Sequence, residues 1–245
     1  MKLAFLTFTG KVGKSTLCNT FAYPRMQKAT IIRMETINDS GLAGLAGAVK
    51  EITLKGRELG KLETELAKTK DAIVDVGASN VEAFILALNS QYESHLAVDY
   101  FVVPVKADAK AQIEMGEAMK TLQALNAMGI DASRIKVLFN RLPVDAEVAE
   151  ECKALLAMHK KMPIFTLNLE AVIHESEAFS ALATAKKSYL EMLSDPLNYR
   201  EEMNKIPLEK EKERTEMVKL IRAQGTVKML DREMQAAWNA LFGGV

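Results

Sequence analysis

A chain of 245 residues with 49% hydrophobic and 26% charged side chains has the apolar material to bury a core without disulfides or metals. Its 32 basic and 32 acidic residues cancel, which excludes a bulk electrostatic pull toward nucleic acid or an anionic membrane and leaves only local patches for such partners. Aromatic residues make up 6%, too few for extensive base stacking on exposed rings.

The first predicted element is the apolar run 3–8, a strand. It is too short to cross a membrane and lacks a small-residue cleavage site, and no later stretch approaches the ~18 apolar residues of a span, so a cytosolic chain with no membrane span is expected. The run leads into Gly10-Lys11-Val12-Gly13-Lys14-Ser15-Thr16 and then a helix-like stretch, 17–22. Further short apolar runs at 29–34, 72–76, 100–105, 135–139 and 163–167 predict five more strands. They are nearly continuous rather than alternating, as strands covered on both faces require. Helical spacing between them, at 81–88, 112–128 and 148–158, implies βαβ units. The expected class is α/β, with a mainly parallel sheet flanked by helices.

Composition shifts after Pro196. Residues 204–219 are dense in Glu, Lys and Arg, and Val227, Leu230, Met234, Ala237 and Leu241 then recur at helical spacing beside Trp238. The expected division is a nucleotide-binding domain over 1–198 and a helical C-terminal extension over 199–245. The extension's balanced charges argue against a DNA or membrane footprint and for packing or protein contact. Cys18 and Cys152 have no CxxC spacing and read as buried thiols, and His95, His159 and His174 are scattered without metal-ligand spacing.

The glycine loop carries the chemistry. A strand, a glycine-bearing loop and Lys-Ser at a helix start form the setting of a P-loop. Gly13 lets the backbone approach phosphates, and the N–H groups of residues 12–16 and the helix dipole converge on them. Lys14 is placed to reach the β/γ-phosphates and the Ser15 hydroxyl to ligate Mg²⁺. The general GxxxxGK[ST] pattern has glycine at position 8, where this chain has Phe8.

With these residues, the chain resembles the deviant Walker A ATPases of the ParA/MinD group, whose loop reads Gly-Lys-Gly-Gly-x-Gly-Lys-[Ser/Thr]. Gly10 and Gly13-Lys14-Ser15-Thr16 match that loop, whereas Phe8-Thr9 and Lys11 depart from it. Ile31-Ile32-Arg33-Met34-Glu35 stands where the family has a strand ending in Asp-x-Asp, and residues 71–77 resemble its Walker B strand. Residues 99–105 are similar to its next strand, and 137–141 to the strand whose terminal Asn recognises adenine. The likeness covers roughly residues 1–190.

The resemblance implies ATP/ADP with Mg²⁺ as ligands, and it assigns roles residue by residue. Gly10, Lys11, Val12, Gly13, Lys14, Ser15 and Thr16 cradle phosphate, Asn140 with Arg141 meets the adenine edge, and Ser15 with Asp75 holds the metal. Glu35 falls where an Asp orients the attacking water, with Asp39 as the alternative. Lys11 is the candidate to replace the family's interface lysine, because position 9 is Thr. Simpler roles remain open: a turn cap for Asp75, a turn residue before Pro143 for Asn140, and a helix cap for Asp108.

The implied function is a slow ATPase that switches a homodimer in plasmid DNA positioning, stability or conjugation, nearest to plasmid proteins of the StbB type. A plasmid-encoded DNA-binding protein, or DNA itself, is the implied partner. The competing readings are a non-hydrolysing nucleotide-binding module and a P-loop GTPase or small-molecule kinase. GTP is disfavoured because Asn140-Arg141-Leu142-Pro143 lacks the Asp that pairs with guanine.

Overall fold

The computed structural model describes residues 1–34, 50–55, 58–90 and 94–243. Its strands are β1 (Lys2–Phe5), β2 (Thr30–Met34), β3 (Glu51–Leu54), β4 (Ala72–Val76), β5 (Tyr100–Lys106), β6 (Ile135–Leu142) and β7 (Val172–His174). They form one parallel sheet in the order β3-β2-β4-β1-β5-β6-β7. Leu3 and Phe5 of β1 point to one face and Ala4 to the other, and all three are fully buried, which accounts for the unbroken apolar runs.

Two helical layers cover the sheet. One face carries α2 (Leu59–Lys68), α3 (Val81–Ser90), α4 (Gln112–Ala127), α5 (Val148–Glu151) and α6 (Lys153–Lys161), which bury Leu62, Phe84, Leu122 and Leu155 against it. The other carries α1 (Lys14–Leu17), α7 (Ala178–Ala185), α8 (Tyr189–Ser194), α9 (Tyr199–Asn204) and α10 (Glu211–Phe242). The first crossover, through α1, lies on the second face, and the crossovers through α2, α3, α4 and α5–α6 lie on the first. Chain order reverses around β1, and the strand ends there open a crevice where such sheets place ligands.

Two strand expectations need correction. Residues 163–167 are not a strand: only Thr166 bridges to Lys136, and the last strand is Val172–His174. Pro163 has no N–H to give a ladder, and the chain turns at Asn168, whose carbonyl accepts from Ala171 N–H, before it pairs again. β3 was not expected, because Glu51 and Thr53 are exposed on an edge strand and break up any apolar run. The helix expected over 148–158 is split at Cys152, whose φ of −116° leaves the helical region.

The C-terminal helix α10 packs on the sheet. Ala223, Val227, Leu230, Met234, Ala237, Leu241 and Phe242 are buried in the same apolar cluster as Leu3, Phe5 and Ile31. Trp238 lies between Phe21 and Phe242, with ring centroids 5.5 and 4.6 Å away. Asp231 accepts from Arg25 at 3.0 Å and from the Tyr189 hydroxyl at 3.2 Å. Packing is therefore the role shown for the expected apolar stripe. Both cysteines are buried free thiols. Among the described residues no helix is long and apolar enough to cross a membrane.

Candidate functional site

The glycine loop leaves the end of β1 between β4 and β5. Phe8, standing where the general pattern has glycine, packs against the core beneath α4, and its N–H donates to Thr121 Oγ1 at 3.1 Å. The loop's entry is thus held by packing. Gly13 is where glycine is needed: it caps α1 with φ of 83°, in the left-handed region. A Cβ there would lie 3.3 Å from Asn140 Nδ2. Gly13→Ala is expected to destabilise the fold by roughly 1–2 kcal/mol and to weaken nucleotide binding. Denaturant unfolding beside ligand titration checks this, and unchanged values for both would contradict it.

Lys14 is buried, and its Nζ donates to the carbonyls of Thr9 at 2.6 Å and Thr7 at 3.3 Å. The lysine ties the loop back onto itself, with its ammonium at the loop's centre. Burial lowers the Lys14 pKa, and the nearby Asp75 charge offsets part of that. After Leu17 the helix widens into a π-turn, Cys18–Ala22, a departure often found at functional sites.

Asn140, near the end of β6, donates from Nδ2 to the Val12 carbonyl at 2.8 Å, so its amide clamps the glycine loop. Arg141 follows with φ of 58°, where the β6–β7 register slips by one residue. A non-glycine residue in that region is strained, and the bulge turns its guanidinium over Gly13.

Asp75 lies at the end of β4, 2% exposed, register neighbour to Phe5 and Arg33. Its Oδ2 accepts from Arg33 at 2.7 Å, while its Oδ1 is buried without a partner. Arg33 also donates to Asn19 Oδ1 at 3.0 Å and to Glu51. Burial opposes the Arg33 charge, but the Glu51 hydrogen bond and the charges of Asp75 and Glu51 outweigh it and raise the pKa. Asp108 is not the helix cap expected: α4 is capped by Ala111 without a side-chain bond, and Asp108 accepts from the Lys110 N–H at 2.9 Å in the preceding turn and pairs with Lys106.

Two cavities meet at this loop. The first, about 530 Å³, is lined by Gly10, Lys11, Gly13, Lys14, Ser15, Thr16, Gly77, Ala78, Lys106, Glu114 and Arg141. Four basic side chains against one acid suit an anion there. The second, about 850 Å³, shares Gly13, Thr16 and Arg141 with it and is largely apolar, walled by Leu17, Ile173, Phe179, Leu182, Leu230 and Met234, with Asn140 at its edge. Both are of ligand-pocket size.

Most of the expected phosphate-site residues therefore gather around one cavity. Val12 takes part through its backbone, since its side chain is buried in the core. Asp75 lies beneath the loop and lines neither cavity. Glu35 and its alternative Asp39 lie outside the described residues. Among the described residues no cluster of three His, Cys, Asp or Glu forms a metal cage. The Ser15 hydroxyl at the cavity and the unpartnered Asp75 Oδ1 fit a cation brought in on phosphates. Sequence reasoning missed Arg33, Asn19, Lys106 and Glu114. Only Arg33 carried a signal, as a charge inside an otherwise apolar strand.

No protein-family model and no curated protein matches this chain. Several solved structures are similar to it. Apo McdA of Cyanothece is 13% identical, with a TM-score of 0.50 over 98% of each chain. MinD, in the MinC:MinD cell division complex of Aquifex aeolicus, is 15% identical, with a TM-score of 0.48 over 90% of this chain and 93% of that one. A Borrelia burgdorferi protein described as a plasmid partition protein, bound to AMPPNP, is 15% identical, with a TM-score of 0.46 over 90% and 97%. The fold is the one seen in apo McdA, with the expected parallel sheet, flanking helices and C-terminal helix.

Proposed function

We propose that this chain works as a ParA/MinD-type ATPase, binding ATP and ADP with Mg²⁺ and hydrolysing ATP slowly to switch a homodimer that positions plasmid DNA or serves its stability or conjugation. The observation that carries the reading is the junction of two cavities at Gly13, Thr16 and Arg141, a basic one over the glycine loop and an apolar one beside it. A nucleotide has the same division, with charged phosphates joined to an apolar base.

The chemistry is phosphoryl transfer to water, in which positioning and electrostatics supply the catalysis. The N–H groups of residues 12–16 hold the phosphate oxygens, and Lys14 exchanges the Thr7 and Thr9 carbonyls for the β/γ-phosphates. Asn140 keeps the loop in shape through Val12 and, with Arg141, borders the base. Bound Mg²⁺ would neutralise phosphate charge, with Ser15 and Asp75 as the residues that hold it. Glu35 or Asp39 orients the attacking water in this scheme, and Lys11 supplies the charge that acts across the dimer. A plasmid-encoded DNA-binding protein or DNA is the proposed partner, and the cytoplasm the proposed location.

The test is to size the chain with ADP, ATP and a slowly hydrolysed ATP analogue while measuring Mg²⁺-dependent phosphate release. A dimer with ATP or the analogue only, together with slow release, is the expected result; no nucleotide-linked change and no release would refute it. In single-turnover hydrolysis Lys11→Ala is expected to slow the rate by about a hundred- to a thousandfold, on the order of the loss of one transition-state donor. Unchanged hydrolysis and dimerisation would remove Lys11 from the mechanism.

A second reading, a nucleotide-binding module that does not hydrolyse, is favoured by one observation: Asp75 is already ion-paired to Arg33. Tight ATP binding without phosphate release would select it.

A further inference from the structure

A buried arginine against the Asp75 carboxylate changes what a metal meets at this site. Arg33 and Asp75 are register partners on adjacent strands, with side chains 7% and 2% exposed. NH1 of Arg33 lies 2.7 Å from Asp75 Oδ2, its NH2 is held by Asn19 from the π-turn, and its Nε by Glu51 from β3. Three elements therefore fix the guanidinium, which leaves it no freedom to swing away as a surface arginine does.

The local charges close on themselves. Lys14 and Arg33 are positive, and Asp75 and Glu51 are negative. Cys18, between them, stays neutral because burial pushes its thiol well up. A P-loop site ordinarily presents a metal with a carboxylate whose charge is unspent. Here that charge is already matched by a cation at hydrogen-bond distance, in a setting where separating the pair is costly.

We infer that Arg33 is a built-in counter-ion of Asp75, a positioning residue that replaces part of the metal's electrostatic role, so nucleotide binding to this chain depends only weakly on Mg²⁺. The inference rests on the proposed reading of the site as a nucleotide site. The second carboxylate oxygen of Asp75, Oδ1, is buried without a partner and is left as a hydrogen-bond acceptor rather than a free charge.

The experiment measures ADP affinity for the full chain in EDTA and in saturating Mg²⁺. For wild type, Mg²⁺ is expected to strengthen binding less than about tenfold, and a larger gain would overturn the inference. Arg33→Gln frees the carboxylate and is expected to increase the gain at least about fivefold, the lower bound set by one pair of charges about 4 Å apart in bulk water. That increase should vanish in the double variant Arg33→Gln/Asp75→Asn. An unchanged gain in Arg33→Gln would also overturn the inference. The wild-type ratio needs no variant, so the inference stays open to refutation even if Arg33→Gln folds poorly. No ADP binding in either condition would instead refute the nucleotide reading itself, whereas tight, strongly Mg²⁺-dependent binding would refute only the role of Arg33.

Discussion

Lys14→Ala is expected to abolish measurable ATP hydrolysis and to weaken ATP affinity by about a hundredfold, on the order of one or two charge-assisted hydrogen bonds. The size of the effect follows from where the ammonium sits. It is buried at the loop's centre, on the Thr7 and Thr9 carbonyls, and it borders the cavity assigned to phosphate. Alanine removes both the cation and the tie that shapes the loop. Thermal unfolding of the variant separates the two effects, since loss of binding in a protein of near wild-type stability belongs to the charge. Retained ATP affinity would take the phosphate role away from this loop.

Truncation after Asn198 is expected to yield an insoluble or largely unfolded chain. The lost segment includes α10, which covers one face of the sheet with Val227, Leu230, Met234, Leu241 and Phe242. Burial of each such side chain contributes about 1.5–3 kcal/mol, so together they are comparable to the 5–15 kcal/mol by which whole domains are stable. The cut also removes the Asp231 partner of Arg25 and the Glu233 carboxylate, which accepts from the His174 backbone at the sheet's edge. It takes away Leu230 and Met234 as well, two walls of the apolar cavity. Circular dichroism and sedimentation of the shortened chain check this. A soluble, cooperatively folding product would make 199–245 an independent extension.

The residues show why some features were legible before the fold and others were not. The central strands were readable because both of their faces are buried, so Ile31-Ile32, Ile73-Val74 and residues 101–103 form runs that no exposed element would carry. The edge failed for the opposite reason. β3 is half solvated, and the pairing of 172–174 rather than 163–167 depends on a turn at Asn168 that no local pattern announces.

At the site, a similar boundary separates contiguous from distant residues. Gly13 to Thr16 were readable because one loop holds them, and its geometry depends on their order. Asn140 was legible as a candidate site residue, but its bond to the Val12 carbonyl joins positions 128 apart. Arg33 was visible as a charge in an apolar strand, yet its partner was not, because Asp75 stands 42 positions further along the chain and meets it only when β4 pairs with β2.

The sequence by itself determined the parallel α/β class, the strand-loop-helix around the glycine loop and the apolar stripe of the last helix. These are encoded by local order and period, which act on residues near one another in the chain. Only the tertiary structure decided that this stripe completes the core, that Asn140 and Arg141 close over Gly13, and that Asp75 spends its charge on Arg33. Each of these depends on which strands become neighbours, and that is set by the packing of the whole sheet.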